Sequence, residues 1–425
     1  MEAVDSERRA RISSKLAAAN PSLHHHLFGT QPKRILALDG GGVLGIIEIA
    51  FLERIEALLR TRFRRPGLVL SDYFDLVGGT STGAIIATGL ALGMTAGQLK
   101  NLYFALAADV FRRPLLSLPG VGARFDARIL SNKLRAILGD RPLESQDLLT
   151  GLALVAKRVD TGSPWVLTNN PMSKYWDDPP VHPATGAPDY LGNRHYLLRD
   201  LVRSSTAAPY YYSPKRMRIV EGEPQGLFVD GGLSPHNNPA LQMLMLASIR
   251  GYGFQWPVSA DQLSIISIGC GWMRPRIRMT SFVDQLSAAL AIKTLRSLIW
   301  DSQVNTLKLL QWMSNPRLPW PINSEVGTLR AEVLGSTSGT HQELLQFQRY
   351  DVMLEPNHDD QEKFGPTISA QQRARLDDFM NPAIMDEAYA LGCQCAAIQV
   401  DGADFSDNLE GGPSIATIVQ ADRER

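Results

Sequence analysis

The sequence predicts an α/β fold in which a parallel sheet is covered by helices on both faces. Three observations predict it. Apolar runs, glycine turns and helix-like runs alternate twice between residues 34 and 99, the predicted strands are mainly apolar, and no repeat or linker divides the chain. Strands that are buried on both faces lack the polar alternation of a sheet that faces water. At 425 residues and 44% hydrophobic content, the chain is long enough for one large domain.

The first two strand–turn–helix units follow this order. A strand is predicted over Arg34–Asp39, then a glycine loop over residues 40–45, then a helix over Gly45–Phe63, where apolar residues recur at helical spacing. A second strand is predicted over Tyr73–Val77, followed by a glycine turn and an apolar helix that begins near Thr82. Because successive parallel strands end at one edge of a sheet, the two glycine turns are expected to face each other there.

The later elements are predicted from shorter patterns. Apolar runs indicate four strands: Leu152–Val159, Trp165–Thr168, Leu227–Asp230 and Leu263–Ile268. Helical patterns indicate one short helix in the N-terminal arm over Asp5–Ala19 and later helices over Ser281–Ser314, Ser369–Phe379 and Pro382–Leu391. The long apolar helix over 281–314 is predicted to pack on the sheet, with a lid or a membrane-docking helix as the alternative.

Composition argues against several classes of partner. Lys and Arg together number 43, as do Asp and Glu, so the formal net charge is zero, whereas nucleic-acid binding needs excess positive charge. No nucleic-acid partner is therefore expected. Three cysteines are too few for a disulfide framework, and Cys393 and Cys395 lack zinc-site spacing. The triplet His24–His26 is predicted to lie in a short solvated loop, and neither a metal nor a cofactor is expected.

The 24-residue stretch from Leu76 to Leu99 carries no charge and is long enough to span a bilayer. It contains six glycines and lacks the leucine-rich composition and interfacial anchors of a membrane span. It is therefore predicted to be buried core. The N-terminus is polar and basic without a signal-peptide-like apolar run, so a cytoplasmic location is expected, with peripheral membrane contact as an extension of it.

Within this stretch, Gly79-Thr-Ser81-Thr-Gly83 is a G-x-S-x-G pattern. A serine nucleophile needs a tight strand-to-helix turn that presents its hydroxyl, and flanking glycines permit the unusual backbone. A helix that begins directly after the serine also points free N–H groups toward a bound anion. Ser81 is therefore predicted to be a nucleophile.

The glycine loop Gly40-Gly41-Gly42-Val-Leu-Gly45 admits two interpretations. It matches the G-x-G-x-x-G dinucleotide fingerprint, but that fingerprint requires an acidic residue about twenty positions later, where this sequence has arginines. Alternatively, its backbone N–H groups form an oxyanion hole for acyl transfer. The oxyanion hole is the preferred interpretation, and the nucleotide site stays open as the alternative.

Asp230-Gly231-Gly232 ends a predicted strand, which is expected to bring the carboxylate to the same edge as Ser81. A serine nucleophile requires a base, and a carboxylate can serve if its pKa is raised above the ordinary value of about 3.9, as burial would do. In isolation, Asp-Gly-Gly is also a common turn.

These motifs together resemble the patatin-like phospholipases: Asp-Gly-Gly-Gly-x-x-Gly, Gly-x-Ser-x-Gly and Asp-Gly-Gly occur in that order from about residue 34 to residue 240. The resemblance implies a three-layer α/β/α sandwich with a mostly parallel central sheet. It also implies a Ser81–Asp230 dyad, oxyanion donors on Gly40–Gly42, supporting glycines at 45, 79, 83, 231 and 232, and hydrolysis of acyl esters in membrane lipids. Residues 33–405 are then the catalytic domain, preceded by an arm over 1–32 and followed by a polar tail over 406–425.

Two departures and two alternatives accompany this resemblance. Leu44 stands where the family often has Arg or Lys, which removes a cationic contact to lipid phosphate at that point. One alternative is a Ser–His–Asp esterase of the α/β-hydrolase type that uses His341 or His358. The other is an effector or sensor with this fold that is switched by a ligand or partner. The second departure from the family pattern is the turn after Asp230, which is about one residue longer than the common version.

Overall fold

The computed structural model describes residues 2–111, 125–183, 186, 188–275, 287–330, 332–335, 343–355 and 361–406. Within these ranges, the helices are α1 Glu2–Ala19, α2 Pro21–Phe28, α3 Gly45–Arg62, α4 Thr82–Ala91, α5 Ala96–Val110, α6 Ala127–Leu138, α7 Leu198–Ser205, α8 Ala240–Ser248, α9 Ser287–Trp312, α10 Ala370–Leu376 and α11 Met385–Gln399. The strands are β1 Lys33–Leu38, β2 Leu76–Thr80, β3 Gly151–Arg158, β4 Ser163–Thr168, β5 Lys215–Met217, β6 Gly226–Asp230, β7 Leu263–Ile268 and β8 Gln346–Tyr350.

All of the described strands belong to one sheet, in which the pairing order is β5-β6-β3-β2-β1-β7-β8 and β4 also pairs with β3. The pairs β1–β2, β1–β7, β2–β3 and β7–β8 are parallel, whereas β3–β4, β3–β6 and β5–β6 are antiparallel. The predicted mostly parallel sheet is confirmed, with an antiparallel section around β3.

Helices cover both faces of this sheet, as the apolar strands predict. In β1, Leu36 and Leu38 face one core together with α3, α5 and α11, while Ile35 and Ala37 face a second core together with α2, α8 and α9. Successive side chains of a strand point to opposite faces, so the part of β1 that lies between the two cores, residues 35–38, is apolar at every position. The α/β/α arrangement follows from this pattern.

The N-terminal arm differs from its prediction, because it contains two helices in place of one. The expected solvated loop over His24–His26 is wrong, since these residues lie in α2. His26 is buried, and its Nδ1 lies 2.9 Å from Oδ1 of the buried Asp75, just before β2. Leu23 and Leu27 on the same helix are also buried in the core. The arm is thus attached to the base of the strand that leads to Ser81.

The second strand is displaced from its predicted position, Tyr73–Val77, and runs over Leu76–Thr80. Its two glycines were assigned to the turn, but they lie in the strand, where neighbouring groups leave no room for a side chain. A Cβ on Gly78 would lie 2.7 Å from Met243 of α8. The strand therefore continues to the residue before Ser81.

Other boundaries shift by smaller amounts or lie outside the described residues. The helix predicted over 281–314 is α9, for which the described part begins at Ser287. The helix predicted over Pro382–Leu391 begins at Met385 and extends to Gln399, where it packs against α3. The tail beyond residue 406 lies outside the described residues, as do His341 and His358. Seven described elements had not been predicted: α2, α5, α6, α7, α8, β5 and β8.

Candidate active site

Ser81 lies between β2 and α4 in a conformation that non-glycine residues rarely adopt, with φ 54° and ψ −120°. Backbone strain of this kind persists only where surrounding structure enforces it. The flanking glycines allow the tight turn: a Cβ on Gly79 would lie 2.1 Å from the carbonyl oxygen of Gly83. The backbone N–H of Ser81 donates to Ser205 Oγ at 2.8 Å. The turn therefore presents the Ser81 side chain with its backbone held in place.

The structure brings Ser81 and Asp230 together, with Oγ donating to Oδ2 at 2.6 Å. Strand β2 pairs with residues 151–155 of β3, whereas β6 pairs with residues 156–158 and β4 pairs with 153–158. Since β4 occupies one edge of β3, β2 and β6 must lie end to end along the other edge. Both strands end at this junction, where Thr80 is opposite Val155 and Asp230 is opposite Ala156. The proximity of Ser81 and Asp230 was predicted, but the strand that carries Asp230, β6, is antiparallel to β3.

Asp230 is buried, with 6% of its surface exposed, and each carboxylate oxygen has a protein partner. Oδ2 accepts from Ser81, and Oδ1 accepts from the N–H of Gly232 at 2.8 Å. Burial raises the pKa of Asp230 to about 6, although the two hydrogen bonds and the charge of Arg203 act in the opposite direction. The carboxylate is therefore more basic than an ordinary aspartate and is still ionised at neutral pH.

The glycine loop after β1 lies against the same junction. A Cβ on Gly40 would lie 3.1 Å from Cβ of Ser81, so the loop contacts the serine side chain directly. The N–H of Gly40 donates to the carbonyl of Asn237 at 3.1 Å, and the N–H of Gly41 donates to Thr82 Oγ1 at 3.1 Å. Within the described part of the chain, the N–H of Gly42 has no hydrogen-bond partner.

The remaining predicted glycines support these elements. Gly45 begins α3, and a Cβ there would lie 2.4 Å from the hydroxyl of Tyr103, which itself donates to the carbonyl of Gly42. Gly231 follows the carboxylate, and a Cβ on it would lie 2.3 Å from the carbonyl of Val155 in β3. The glycines thus permit close contact between β3, the loop and the turn after Asp230.

A buried ion cluster behind the loop was missed by the sequence analysis. The guanidinium of Arg349 donates to both carboxylate oxygens of Asp39, at 3.0 and 2.6 Å, and to Asp351 at 2.6 Å. Arg349 and Asp39 are each at most 1% exposed, and Asp39 directly precedes Gly40. Gln303 of α9 also donates to Asp39, at 3.2 Å. No local pattern around Arg349 in β8 signals an ion pair with a residue 310 positions away.

Ser81 and Asp230 open into a cavity of about 320 Å³ that is lined mainly by apolar side chains from α5, α6, α9 and the segment 208–212. Leu44, in the glycine loop, is one of the lining residues and is 5% exposed. Apolar clefts with a few convergent polar groups are the usual form of small-molecule sites. The cavity therefore suits an apolar ligand that extends from the Ser81 hydroxyl.

Neither a metal site nor a membrane span appears in the described ranges. No group of three or more His, Cys, Asp or Glu side chains is placed there to hold a metal ion. No helix among the described residues is long and apolar enough to cross a bilayer.

The chain was compared with known families and proteins. The model of the patatin-like phospholipase family matches residues 36–244, which include every residue of the three motifs. A cUMP-AMP-activated phospholipase of Escherichia coli is 32% identical over 265 residues, covering 62% of this chain and 73% of that protein. A cGAMP-activated phospholipase of E. coli strain TW11681 is 29% identical over 240 residues, covering 56% of this chain and 61% of its own length.

A plant protein gives a similar match: Patatin-15 of Solanum tuberosum is 29% identical over 255 residues, covering 56% of this chain and 60% of that protein. The chain spans about three fifths of the length of the cGAMP-activated and plant relatives. The three ordered motifs, the α/β/α fold and these matches have one explanation: the chain belongs to the patatin-like phospholipase family.

Proposed function

We propose that the protein is a lipid acyl hydrolase of the phospholipase A type that uses Ser81 as nucleophile and Asp230 as base. The observation that carries this proposal is the 2.6 Å hydrogen bond from Ser81 Oγ to a buried carboxylate. A base must lie within hydrogen-bond reach of the proton that it accepts, and Asp230 meets this condition directly. The apolar cavity beside the serine supports an acyl chain as the ligand.

In the first half of the reaction, Ser81 Oγ attacks the ester carbonyl carbon while its proton passes to Asp230. The carbonyl oxygen becomes an oxyanion, and the C–O bond to the glycerol then breaks as Asp230 returns the proton to the departing alkoxide. A fatty acyl-serine ester remains. In the second half, Asp230 accepts a proton from water as the water oxygen attacks the acyl carbon. The bond from that carbon to Ser81 Oγ then breaks as Asp230 returns the proton to Oγ, which releases the fatty acid and restores Ser81.

The oxyanion donors in this proposal are the backbone N–H groups of Gly41 and Gly42. Gly40 has a structural role instead, because its N–H donates to the carbonyl of Asn237 and holds the loop against the turn after Asp230. To bind the oxyanion, the N–H of Gly41 must give up its hydrogen bond to the Thr82 hydroxyl. Among the described residues, the N–H of Gly42 has no such hydrogen bond to break. Removing one such donor typically costs about 10²–10³-fold in kcat.

The pH dependence of this reaction follows from the carboxylate. Because burial raises the pKa of Asp230 to about 6, kcat/KM for a soluble ester is expected to fall about tenfold per pH unit below 6 and to level off above it. Only the ionised carboxylate can accept the serine proton, so kcat/KM falls as the pH is lowered and Asp230 becomes protonated. Initial rates between pH 4.5 and 8 measure the profile, and a flat profile between pH 5 and 7 would contradict the assignment.

Mixed phospholipid vesicles test the proposal as a whole. Wild-type protein is expected to release fatty acid from them, and Ser81→Ala is expected to release none above background. The alanine removes only the hydroxyl, so the circular dichroism spectrum and melting temperature should match those of the wild type. Release at the wild-type rate by Ser81→Ala would refute the mechanism. Comparing sn-1 and sn-2 labelled lipids in the same assay identifies the bond that is cleaved.

A ligand-switched enzyme is a second candidate, favoured by the names of two relatives, which are described as activated by cUMP-AMP and by cGAMP. Under this proposal, the same dyad is inactive until a cyclic dinucleotide binds. Fatty-acid release is measured with and without each dinucleotide at micromolar concentration, with Ser81→Ala as the control. An increase that requires Ser81 supports the switch, and an unchanged rate refutes it for these two ligands.

A further inference from the structure

Large apolar side chains are exposed around the opening of the active-site cavity. Tyr210 and Leu295 are 50% and 46% exposed and line the cavity themselves. Leu298 lies one helical turn after Leu295 and is 58% exposed, while Ile129, at 36%, adjoins the lining residue Leu130. We call these four residues, Ile129, Tyr210, Leu295 and Leu298, the apolar rim.

Three separate elements contribute to the apolar rim, and α9 supplies two of its members. The second half of α9 is held in the core, where Leu307 and Leu310 are fully buried and Trp300 packs against Trp272 with ring centroids 4.3 Å apart. The exposed leucines of its first half are therefore not the result of a detached helix. The helix is anchored on the protein and presents these side chains outward.

We propose that the apolar rim docks the protein on the surface of a lipid bilayer, with the cavity opening turned toward the acyl chains. This inference rests on the proposed function, since it specifies how a lipid reaches Ser81. Exposed apolar side chains that border a ligand cavity, as Tyr210 and Leu295 do, typically mark an interaction surface. The occupant is a bilayer because the apolar rim is continuous with an apolar cavity whose proposed ligand resides in one.

The charges beside the apolar rim indicate how it binds. Arg128 pairs with Asp126 at 2.8 Å, and Arg296, which lines the cavity, pairs with Asp377 at 2.7 Å. Both of these arginines are thus compensated by a carboxylate, and within the described part of the chain neither adds net positive charge beside the apolar rim. Binding is therefore driven by insertion of apolar side chains, and it depends only weakly on anionic lipid and on salt concentration.

The test uses the full chain with Leu298→Glu, a change on the solvent side of α9 and away from the cavity lining. The matched control is Ile398→Glu on α11, where the wild-type side chain is 50% exposed and does not line the cavity. Vesicle binding is measured by co-sedimentation with phosphatidylcholine vesicles, with and without phosphatidylserine. Activity is measured both on the vesicles and on a short-chain ester dissolved below its aggregation threshold.

Leu298→Glu is expected to weaken vesicle binding about tenfold or more, because a carboxylate replaces a side chain that would enter the bilayer. Its activity on the dissolved ester should stay within about twofold of the wild type, and Ile398→Glu should match the wild type in every assay. The wild type should bind the two vesicle types within a few-fold of each other.

Three outcomes overturn the inference: equal vesicle binding by wild type and Leu298→Glu, equal loss in both variants, or binding only to vesicles that contain phosphatidylserine. A wild-type dimer that Leu298→Glu converts to monomer, with vesicle binding unchanged, would assign the apolar rim to a second copy of the chain. If the wild type hydrolyses no ester yet binds vesicles through Leu298, the proposed function fails and the docking surface stands.

Discussion

Replacing Asp230 by asparagine is expected to lower kcat and kcat/KM for ester hydrolysis together, by about 10²–10⁴-fold. Asparagine has the same shape, and its oxygen can still accept the N–H of Gly232, which lies 2.8 Å from the present Oδ1. Its amide cannot accept the proton that Ser81 must lose, and it donates to the serine oxygen in place of accepting from it. The interaction that is lost exists in the transition state, so KM should change little.

The matched control for this variant is Asp177→Asn, which alters an exposed carboxylate that pairs with Arg194 at the surface. Steady-state kinetics with a soluble ester, and the melting temperature of each variant, separate a chemical defect from a folding defect. If Asp230→Asn keeps activity within about threefold of the wild type, the base lies elsewhere. Alanine variants of His341 and His358 would then test the Ser–His–Asp alternative.

Replacing Arg349 by methionine is expected to destabilise the protein by about 3–5 kcal/mol, because it leaves the buried carboxylates of Asp39 and Asp351 without their cation. Burial already raises the pKa of Asp39 to about 6 despite the arginine beside it. Removing the arginine raises the pKa of Asp39 further. At low pH, protonation of Asp39 therefore removes part of the free-energy cost of burying its charge. The loss of stability should therefore be largest near pH 8 and should shrink toward pH 5.

Urea unfolding at several pH values measures this effect. Arg375→Met is the control, since Arg375 forms a 2.6 Å ion pair with Glu387 in which its own side chain is 54% exposed, and such pairs contribute only about 0–1 kcal/mol. If Arg349→Met lowers the free energy of unfolding by less than about 1 kcal/mol at pH 8, the ion cluster is not needed for stability. Because Asp39 precedes the glycine loop, the folded fraction of the variant should also show reduced kcat.

The sequence was informative where local chemistry determines the structure. Ser81 was predicted to lie in a strand-to-helix turn because glycines at both flanking positions leave few other conformations for a presented serine. The alternation of apolar strands with helices identified the fold class, since a sheet buried on both faces explains a strand such as β1, in which residues 35–38 are all apolar. These signals lie within a few residues of the feature that they predict.

Strand direction was less accessible from sequence. Asp230 was predicted to lie at the same edge as Ser81 because both residues follow or end short apolar strands. The structure shows that β6 is antiparallel to β3, and the two residues approach because β2 and β6 point toward each other. Neither apolarity nor length distinguishes the two directions in a strand of five residues. Pairing partners, which sequence patterns do not reveal, decide between them.

Long-range polar contacts were missed for a related reason. Arg349 pairs with Asp39 across 310 residues, and His26 contacts Asp75 across 49, and each of these residues taken alone resembles a surface residue. A buried charge is recognised only when its partner is known, because unpaired charges are almost never buried. The triplet His24–His26 was assigned to a solvated loop because the sequence did not reveal Asp75 as the partner of His26.

The end-to-end meeting of β2 and β6 has a consequence for how proteins with this fold can change during evolution. The distance between Ser81 and Asp230 depends on two strand registers along β3 and not on the length of chain that separates them. Insertions in the chain between the two strands can therefore accumulate without moving either group. A single-residue insertion within β6 would shift the carboxylate by about 3.3 Å and turn it to the opposite face of the sheet. Tolerance of length variation should thus change sharply within a few residues of the junction.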